Sequence, residues 1–382
     1  MGALTARGRG VAIGAPALLI IGWALGYREI VAIGVMGVLL LSTASLWVLI
    51  RPRLAVTRQI DPVRVTVGET ALGLVSLSNL ARRPSAPFIA EDRFSGQALD
   101  VPIPRLAPGA AKRTTYRLPT NRRRVAQVGP MIIGRSDPFG LVRIEQRHGT
   151  TETFWVHPRR YPIEPLGSSR LRSLDGPKDD TMPTGSITFD RIREYVPGDD
   201  MRHIHWRSTA RMGTLMVRQH VDTTLPDVTV VIDTTSQLYD AESFETAVEV
   251  AASVLEASTS HRFPARLQVT GRAGHKRSGQ VNSGQDFLDE LAGLEPNRDS
   301  SFAATLIALA RERGGSGLVV ITAYAGDDEL TVLNAMRRRF GTIVLVIVGR
   351  QGEFQTVSAS GIRVIQASTG RQFAERWPVA MQ

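Results

Sequence analysis

Apolar and polar positions divide the chain into three regimes. From Val11 to Gly26 (VAIGAPALLIIGWALG) no residue is charged, and after Tyr27, Arg28 and Glu29 a second uncharged run extends from Ile30 to Ile50. Each run is close to the roughly 20 residues that cross ~30 Å of hydrocarbon, and the short linker leaves room only for a tight turn. The pattern predicts a two-helix transmembrane hairpin over residues 1–53, with spans at about 11–26 and 30–50. Gly10 and Gly14, then Gly22 and Gly26, carry the small-xxx-small spacing that lets helix backbones approach. A cleaved signal peptide is the competing reading, but the second span would remain as an anchor.

From Leu54 to about Pro165 short apolar-polar alternations are broken by Pro, Gly and Asn, the pattern of an antiparallel β-sandwich over 54–165. VRVTVGETALGLVSLSN predicts a strand from Val63 to Val67, a turn at Gly68-Glu69 and a second strand ending near Asn79. Asp137-Pro138-Phe139-Gly140 reads as a turn with Phe139 packed inward, and Asn121-Arg122-Arg123-Arg124 as a solvated basic loop.

After a linker and motif region (166–226) the alternation changes again. DVTVVIDTT, from Asp227 to Thr235, is a β-branched run buried on both faces, followed by a helical stretch from Ala241 to about Ser260. Strand and helix then recur to the end of the chain, which predicts an α/β domain over 227–382 with a mostly parallel sheet covered on both faces. Ligands of such sheets gather at the carboxyl ends of the strands, here Asp233 to Gln237.

Composition narrows the chemistry. The 382 residues carry a formal charge of +10, and lysine stands only at Lys112, Lys178 and Lys276, so the positive charge is almost all arginine, which suits bidentate pairing with carboxylate or phosphate. Such scattered charge reads as a solvated face, and nucleic-acid binding is not expected. With 0 cysteines, disulfides, thiolate zinc sites and cysteine nucleophiles are excluded together. Arg7 and Arg9 precede the first span and Arg51, Arg53 and Arg58 follow the second, with only Arg28 in the turn. The positive-inside rule therefore places both ends of the hairpin, and the soluble domains, on the cytoplasmic side.

The densest stretch is FDRIREYVPGDDMRHIHWRSTARMGTLMVRQH, Phe189 to His220. Its candidate residues are Arg193, Glu194, Tyr195, Pro197, Gly198, Asp199, Asp200, Arg202, His205, Trp206, Arg207, Ser208 and Arg211. Pro197-Gly198 predicts a turn, with Asp199 or Asp200 capping a helix from Met201 to Arg211 that stops at Gly213. On that helix His203, Arg207 and Arg211 share a face, and Trp206 is expected to anchor it to a sheet.

The two spans, a β domain carrying Arg123-Arg124, Gly129-Pro130, DPFGL and VHPR, the REYVPGDDMRHIHWRSTAR motif and the carboxy-terminal α/β region together resemble the DUF58 family of bacterial membrane proteins. The resemblance implies a von Willebrand factor A-like (Rossmann-type) fold for the last domain, association with a MoxR-type AAA+ ATPase, and a role in protein maturation or envelope processes. The metal-ion-dependent site of such domains wants Asp-x-Ser-x-Ser plus a later Thr and Asp, because a hard cation needs oxygen ligands. Asp233 and Thr235 match, Gln237 replaces the last Ser, Ser300 or Ser301 stands for the Thr, and Thr322-Ala323-Tyr324 lacks the second carboxylate. Mg²⁺ there would have a degenerate site.

Three readings of the motif stay open. His203 and His205 with Asp199 and Asp200 could serve a metal-dependent hydrolase joined to Asp233, although i, i+2 histidines point apart on a helix. The arginine face could dock a partner's carboxylate or phosphate. Arg–Asp and Arg–Glu pairs could instead clasp the motif to its neighbours. The expected function is a membrane-anchored, non-enzymatic adaptor.

Overall fold

The computed structural model describes residues 2–49, 54–85, 87–167, 187–196, 201–222, 226–271, 284–349 and 361–381. They form two compact units, Met1–His157 and Pro158–Gln382.

The first unit opens with strand β1 (Gly2–Leu4), then helices α1 (Ala6–Leu25) and α2 (Arg28–Leu49), both long and apolar enough to cross a membrane. The Thr5 hydroxyl caps α1 by accepting from the Gly8 amide at 3.1 Å, and Gly26 closes it in the left-handed conformation with φ 76°. The buried face of α1 is Gly8, Ala15 and Gly22, a heptad spacing. Gly22 lies against Val31, Gly34 against Leu19 and Gly37 against Ala15, while Gly10 and Gly14 face open space. The expected four-residue glycine spacing is therefore corrected: α2 meets α1 at Ala15 and Gly22, seven residues apart, while Gly8 lies against Leu141 of the β unit, and Ala15 is small enough to serve in the contact.

Strands β2 (Leu54–Asp61), β4 (Leu72–Asn79) and β7 (Ala111–Arg117) form a three-stranded sheet in the order β2-β4-β7. Opposite lies an eight-stranded sheet. It contains β1, β3 (Arg64–Thr66), β5 (Phe88–Phe94), β6 (Gln97–Ile103) and β8 (Arg124–Val128). Its remaining strands are β9 (Met131–Ser136), β10 (Val142–His148) and β11 (Glu152–His157). Their order is β1-β10-β9-β5-β8-β11-β3, with β6 on β5. Inward residues alternate strictly, as Gly73, Val75, Leu77 and Asn79 do on β4, and both sheets close on one core that includes Val75, Leu77, Phe94, Val128 and Phe154. The strand, the Gly68-Glu69 turn and the second strand are present, but the two strands do not pair: β3 pairs in parallel with β11, so the chain changes sheets at that turn.

Two side-chain expectations are also corrected. Phe139 is 57% exposed, because the Asp137 carboxylate, not Phe139, holds the turn by accepting from the amides of Phe139 and Val142 at 2.8 and 2.6 Å. Arg123 is buried rather than solvated, and the Arg124 guanidinium lies 5.6 Å from the Phe94 ring centre, so the basic run is partly folded into the sheet.

A buried ionic group joins the two sheets. Asp92 on β5 is 0% exposed and meets Arg58 Nη1 on β2 at 3.3 Å, and the Tyr116 hydroxyl on β7 donates to its other oxygen. Arg58 Nη2 also donates to the Thr150 carbonyl at 2.8 Å. A Cβ at Gly129, where φ is +94°, would come within 2.4 Å of Arg58 Nη1, so this position needs glycine twice over. Burial, then the Asp92 hydrogen bond and charge, push the Tyr116 phenol far above its usual range.

The second unit contains the hairpin β12 (Ile187–Glu194) and β13 (Met216–Asp222), the short helix α3 (Trp206–Met212) between them, and a five-stranded parallel sheet. The strands are β14 (Val228–Ile232), β15 (Ala265–Val269), β16 (Gly315–Thr322), β17 (Phe340–Val348) and β18 (Arg363–Ala367), in the order β15-β14-β16-β17-β18. One face, with Val230, Ile232, Val319, Ile321, Val344 and Val346, buries α4 (Ala241–Ser260), α5 (Gly284–Ala292) and α8 (Gly370–Met381). The alternate residues, Val231, Leu318, Val320, Ile343 and Leu345, bury α6 (Phe302–Arg311) and α7 (Asp327–Met336). Period-two apolar residues on both faces require helices on both faces, and that is the doubly wound arrangement. The segment after His157 belongs here: Leu166 lies in the first of these cores, and Trp377 Nε1 donates to the Glu164 carbonyl at 2.8 Å.

Candidate functional site

The motif folds as an extended hairpin with an inserted turn and helix. Glu194 pairs with Met216, and the Tyr195 amide donates to the Leu215 carbonyl at 2.8 Å. Pro197, Gly198, Asp199 and Asp200 lie outside the described residues. Met201–His203 forms a single 3₁₀ turn, and Ile204 then bridges Val217 as a short antiparallel pair, with the His205 amide on the Met216 carbonyl at 2.7 Å. Ile204, Met216 and Val217 are buried.

The expected helix from Met201 to Arg211 is therefore broken at Ile204 and His205. His205 is the actual N-cap of α3: its Nδ1 accepts from the Ser208 amide at 3.2 Å and lies 2.7 Å from the Ser208 hydroxyl. Gly213 ends the helix, as its left-handed φ of 74° requires. His203 does not share a helix with Arg207 and Arg211. Those two arginines keep the i, i+4 relation on α3, both exposed, and neither pairs with a carboxylate among the described residues. Trp206, expected to be an anchor, is 68% exposed, because the pairing of Ile204 with β13 already holds the segment. Met201, Met212, Val196 and Leu215 are exposed as well. Arg193 is half-buried and donates to the Glu194 carbonyl at 3.0 Å; Glu194 and Arg202 lie at the surface. One short element thus carries an apolar and cationic surface.

The second candidate sits where strands β14 and β16 end. The sheet order reverses direction between them, and clefts of doubly wound sheets open at such a point. Asp233 is 0% exposed. Its Oδ1 accepts from the Thr235 amide at 3.0 Å, the Thr235 hydroxyl at 2.7 Å and the Thr270 hydroxyl at 3.4 Å. Its Oδ2 accepts from the Thr322 hydroxyl at 2.9 Å, and the Ser300 hydroxyl donates to the Thr235 oxygen at 3.0 Å. Ser300 is therefore the residue beside Thr235, whereas Ser301 caps α6. Burial, then the Asp233 charge, push the Tyr239 phenol well above its usual range.

This donor set fits Mg²⁺ poorly. The single carboxylate has both oxygens engaged by protein donors, and no cluster of three or more His, Asp or Glu side chains suited to a metal occurs among the described residues. Thr270 was missed by sequence reading. Its signal is that it follows β15 directly, and so reaches the same edge of the sheet as Asp233.

A pair of apolar helices on an all-β unit, followed by a motif hairpin and a doubly wound α/β region, defines a multidomain protein with potential membrane anchorage. Residues 191–373 match the family described as "Protein of unknown function DUF58". No curated protein compared with the chain matches it. Among solved structures, the CARDB domain of a Pyrococcus furiosus protein is 18% identical, covering 28% of this chain and 91% of its own, with a TM-score of 0.21. The putative ApaA protein from Bordetella pertussis is 13% identical over 28% of this chain and 94% of its own, with a TM-score of 0.20. The Pseudomonas fluorescens alkylpurine DNA glycosylase AlkC is 15% identical over 36% of this chain and 42% of its own, also with a TM-score of 0.20. Scores this low carry neither a fold nor a function to this chain.

Proposed function

We propose that the chain is a membrane-anchored adaptor that works by protein–protein contact and not by catalysis. In this reading α1 and α2 cross a bacterial inner membrane with both units on the cytoplasmic side, as the arginines flanking the helical pair favour. The doubly wound region serves as a von Willebrand factor A-like domain, and the partner is a MoxR-type AAA+ ATPase, as the family resemblance implies. The role is in protein maturation or envelope processes.

The observation that carries the reading is the surface of α3 and its flanks. Trp206, Met201 and Met212 are exposed beside Arg207 and Arg211, two cations without a carboxylate partner among the described residues. Tryptophan and arginine are the side chains that most often dominate interface energies, and an acidic, partly apolar partner face complements them. A hydrolase draws less support, because His205 is used as a helix cap and Asp233 is enclosed by hydroxyl groups.

The test uses the full chain in lipid nanodiscs and the purified MoxR-type ATPase of the same genome. Trp206→Ala, or Arg207→Ala with Arg211→Ala, should weaken binding by about tenfold or more, while His205→Asn, which keeps a capping oxygen, leaves it unchanged. Binding indifferent to both substitutions, or a metal-dependent hydrolysis abolished by Asp233→Asn, would overturn the reading.

A further inference from the structure

The β unit grips the helical pair close to the ends of both helices. The Thr5 hydroxyl donates to the Gly140 carbonyl at 2.6 Å, and its amide donates to the Leu141 carbonyl at 3.0 Å. The first turn of α1 lies so close that a Cβ on Gly8 would come within 2.0 Å of the Leu141 oxygen. Leu141 and Val142 pack with Ala44 of α2, joined by Val11, Leu40, Leu41 and Ile144. The Asp137–Gly140 turn thus lies against the start of α1, at the tip of the β9–β10 hairpin.

Topology fixes which end of the sheet this is. β1 runs directly into α1, and Leu4, its last residue, pairs with Val142, the first residue of β10. The turn precedes Val142, so it lies at the end of the sheet from which the helices depart. β5 runs antiparallel to β9, so the Ser95–Gly96 turn that follows β5 lies at the opposite end.

Helix length then limits where a bilayer can sit. Beyond Val11, the α1 residue packed with this cluster, α1 rises only about 21 Å to Leu25, and α2 rises only about 18 Å from Arg28 to Leu40, which packs there too. The hydrocarbon core is ~30 Å thick. Helices that cross it must use the turns that the sheet also touches, which brings the tip of the hairpin to the membrane surface. Phe139 at that tip is 57% exposed, Trp47 at the same end of the helical pair is also exposed, and so are Arg7 and Arg9 beside Gly8. An apolar ring and cations at one level match the chemistry of the boundary between acyl chains and anionic headgroups.

We propose that the Asp137–Gly140 turn is a lipid-contact site, with Phe139 entering the headgroup–acyl boundary and seating the β unit on the bilayer that holds α1 and α2. The inference rests on the membrane-spanning reading of those helices. It makes the β unit a peripheral membrane element in its own right.

The chain has 0 cysteines, so single substitutions give unique labelling positions. Phe139→Cys, Ile20→Cys in the middle of α1 and Gln97→Cys at the far end of the sheet are each spin-labelled in the full chain, in vesicles of phosphatidylethanolamine and phosphatidylglycerol. Access to oxygen, which partitions into lipid, is compared with access to a water-soluble nickel chelate. The label at 139 should show its oxygen-to-nickel ratio shifted from the value at 97 toward that at 20. A value at 139 equal to that at 97, with 20 still oxygen-favoured, overturns the lipid contact and leaves the spanning helices standing. Nickel access at 20 removes the spanning reading, and the lipid contact with it.

Discussion

Asp92 and Asp233 are both 0% exposed, yet the two units keep them in opposite ways. In the β unit Asp92 meets a guanidinium that is itself 3% exposed, and Arg58, Asp92 and Tyr116 reach it from three strands in two different sheets. In the α/β unit Asp233 meets hydroxyl groups and an amide at the ends of adjacent parallel strands. The first is a cross-link between layers, whose two charges depend on each other. The second is a local closure of one sheet edge, whose neutral donors have other hydrogen-bonding options. Both are hydrogen-bonded carboxylates; only one has a buried cation for a partner.

Asp92→Ala should therefore have the largest effect. It leaves buried Arg58 with only Glu152, 3.7 Å away and 40% exposed, as a carboxylate partner, at a cost of about 3 kcal/mol, and chemical denaturation of the full chain in detergent should show early loss of the β unit. Asp92→Ala and Arg58→Met together should recover part of that loss; no recovery would mean that the pair is not the cross-link. Asp233→Ala should cost less, about 1–3 kcal/mol, because Thr235 and Thr322 can turn to other acceptors. A loss as large as that of Asp92→Ala would break the comparison.

His205→Ala removes the cap of α3 at roughly 1 kcal/mol, and His205→Asn should restore most of it; amide exchange along residues 206–212 reports both. The smallest effect concerns Asp137, a third buried carboxylate. Burial works against its charge, but the amides of Val142, Phe139 and Leu141 outweigh this and hold its pKa below the usual carboxylate range. A carboxyl group with a depressed folded pKa stabilises above its unfolded pKa of about 3.9 and loses that contribution as pH falls through the folded value. The Asp137 turn should loosen only below about pH 4, which amide exchange at Phe139 and Val142 would follow. Asp137→Asn should remove that acid step.

The parallel sheet and its helices were legible because the relevant signals are local. Val228 to Ile232 is apolar at every position, Asp240 caps α4 with Ser243 closing the capping box, and α4 runs from Ala241 to Ser260 as the pattern predicts. The motif was less legible. Its polar sequence permits one helix from Met201, but Ile204 gains a partner on β13, and that pairing, invisible in the local pattern, divides it. The same holds for Asp92. Alternation along β5 sets Ala90, Asp92 and Phe94 on one face, so a carboxylate facing the core could be read from FIAEDRF, but its partners come from strands that only the sheet topology brings near. Glycine spacing in the helices misled for a related reason: the seven-residue spacing of Ala15 and Gly22, in place of a four-residue one, is set by the partner helix.

The β1 strand has a consequence for biosynthesis. Thr5 and Leu141 are 136 positions apart in sequence, and β1 forms the edge of the eight-stranded sheet beside β10. At ~5–20 residues per second, roughly 7–27 s separate the emergence of these two partners from the ribosome. The helical pair is complete long before its seat exists. The segment of β1 must stay accessible on the side where the sheet will form, so that edge of the sheet is closed by residues made well before the strand they pair with.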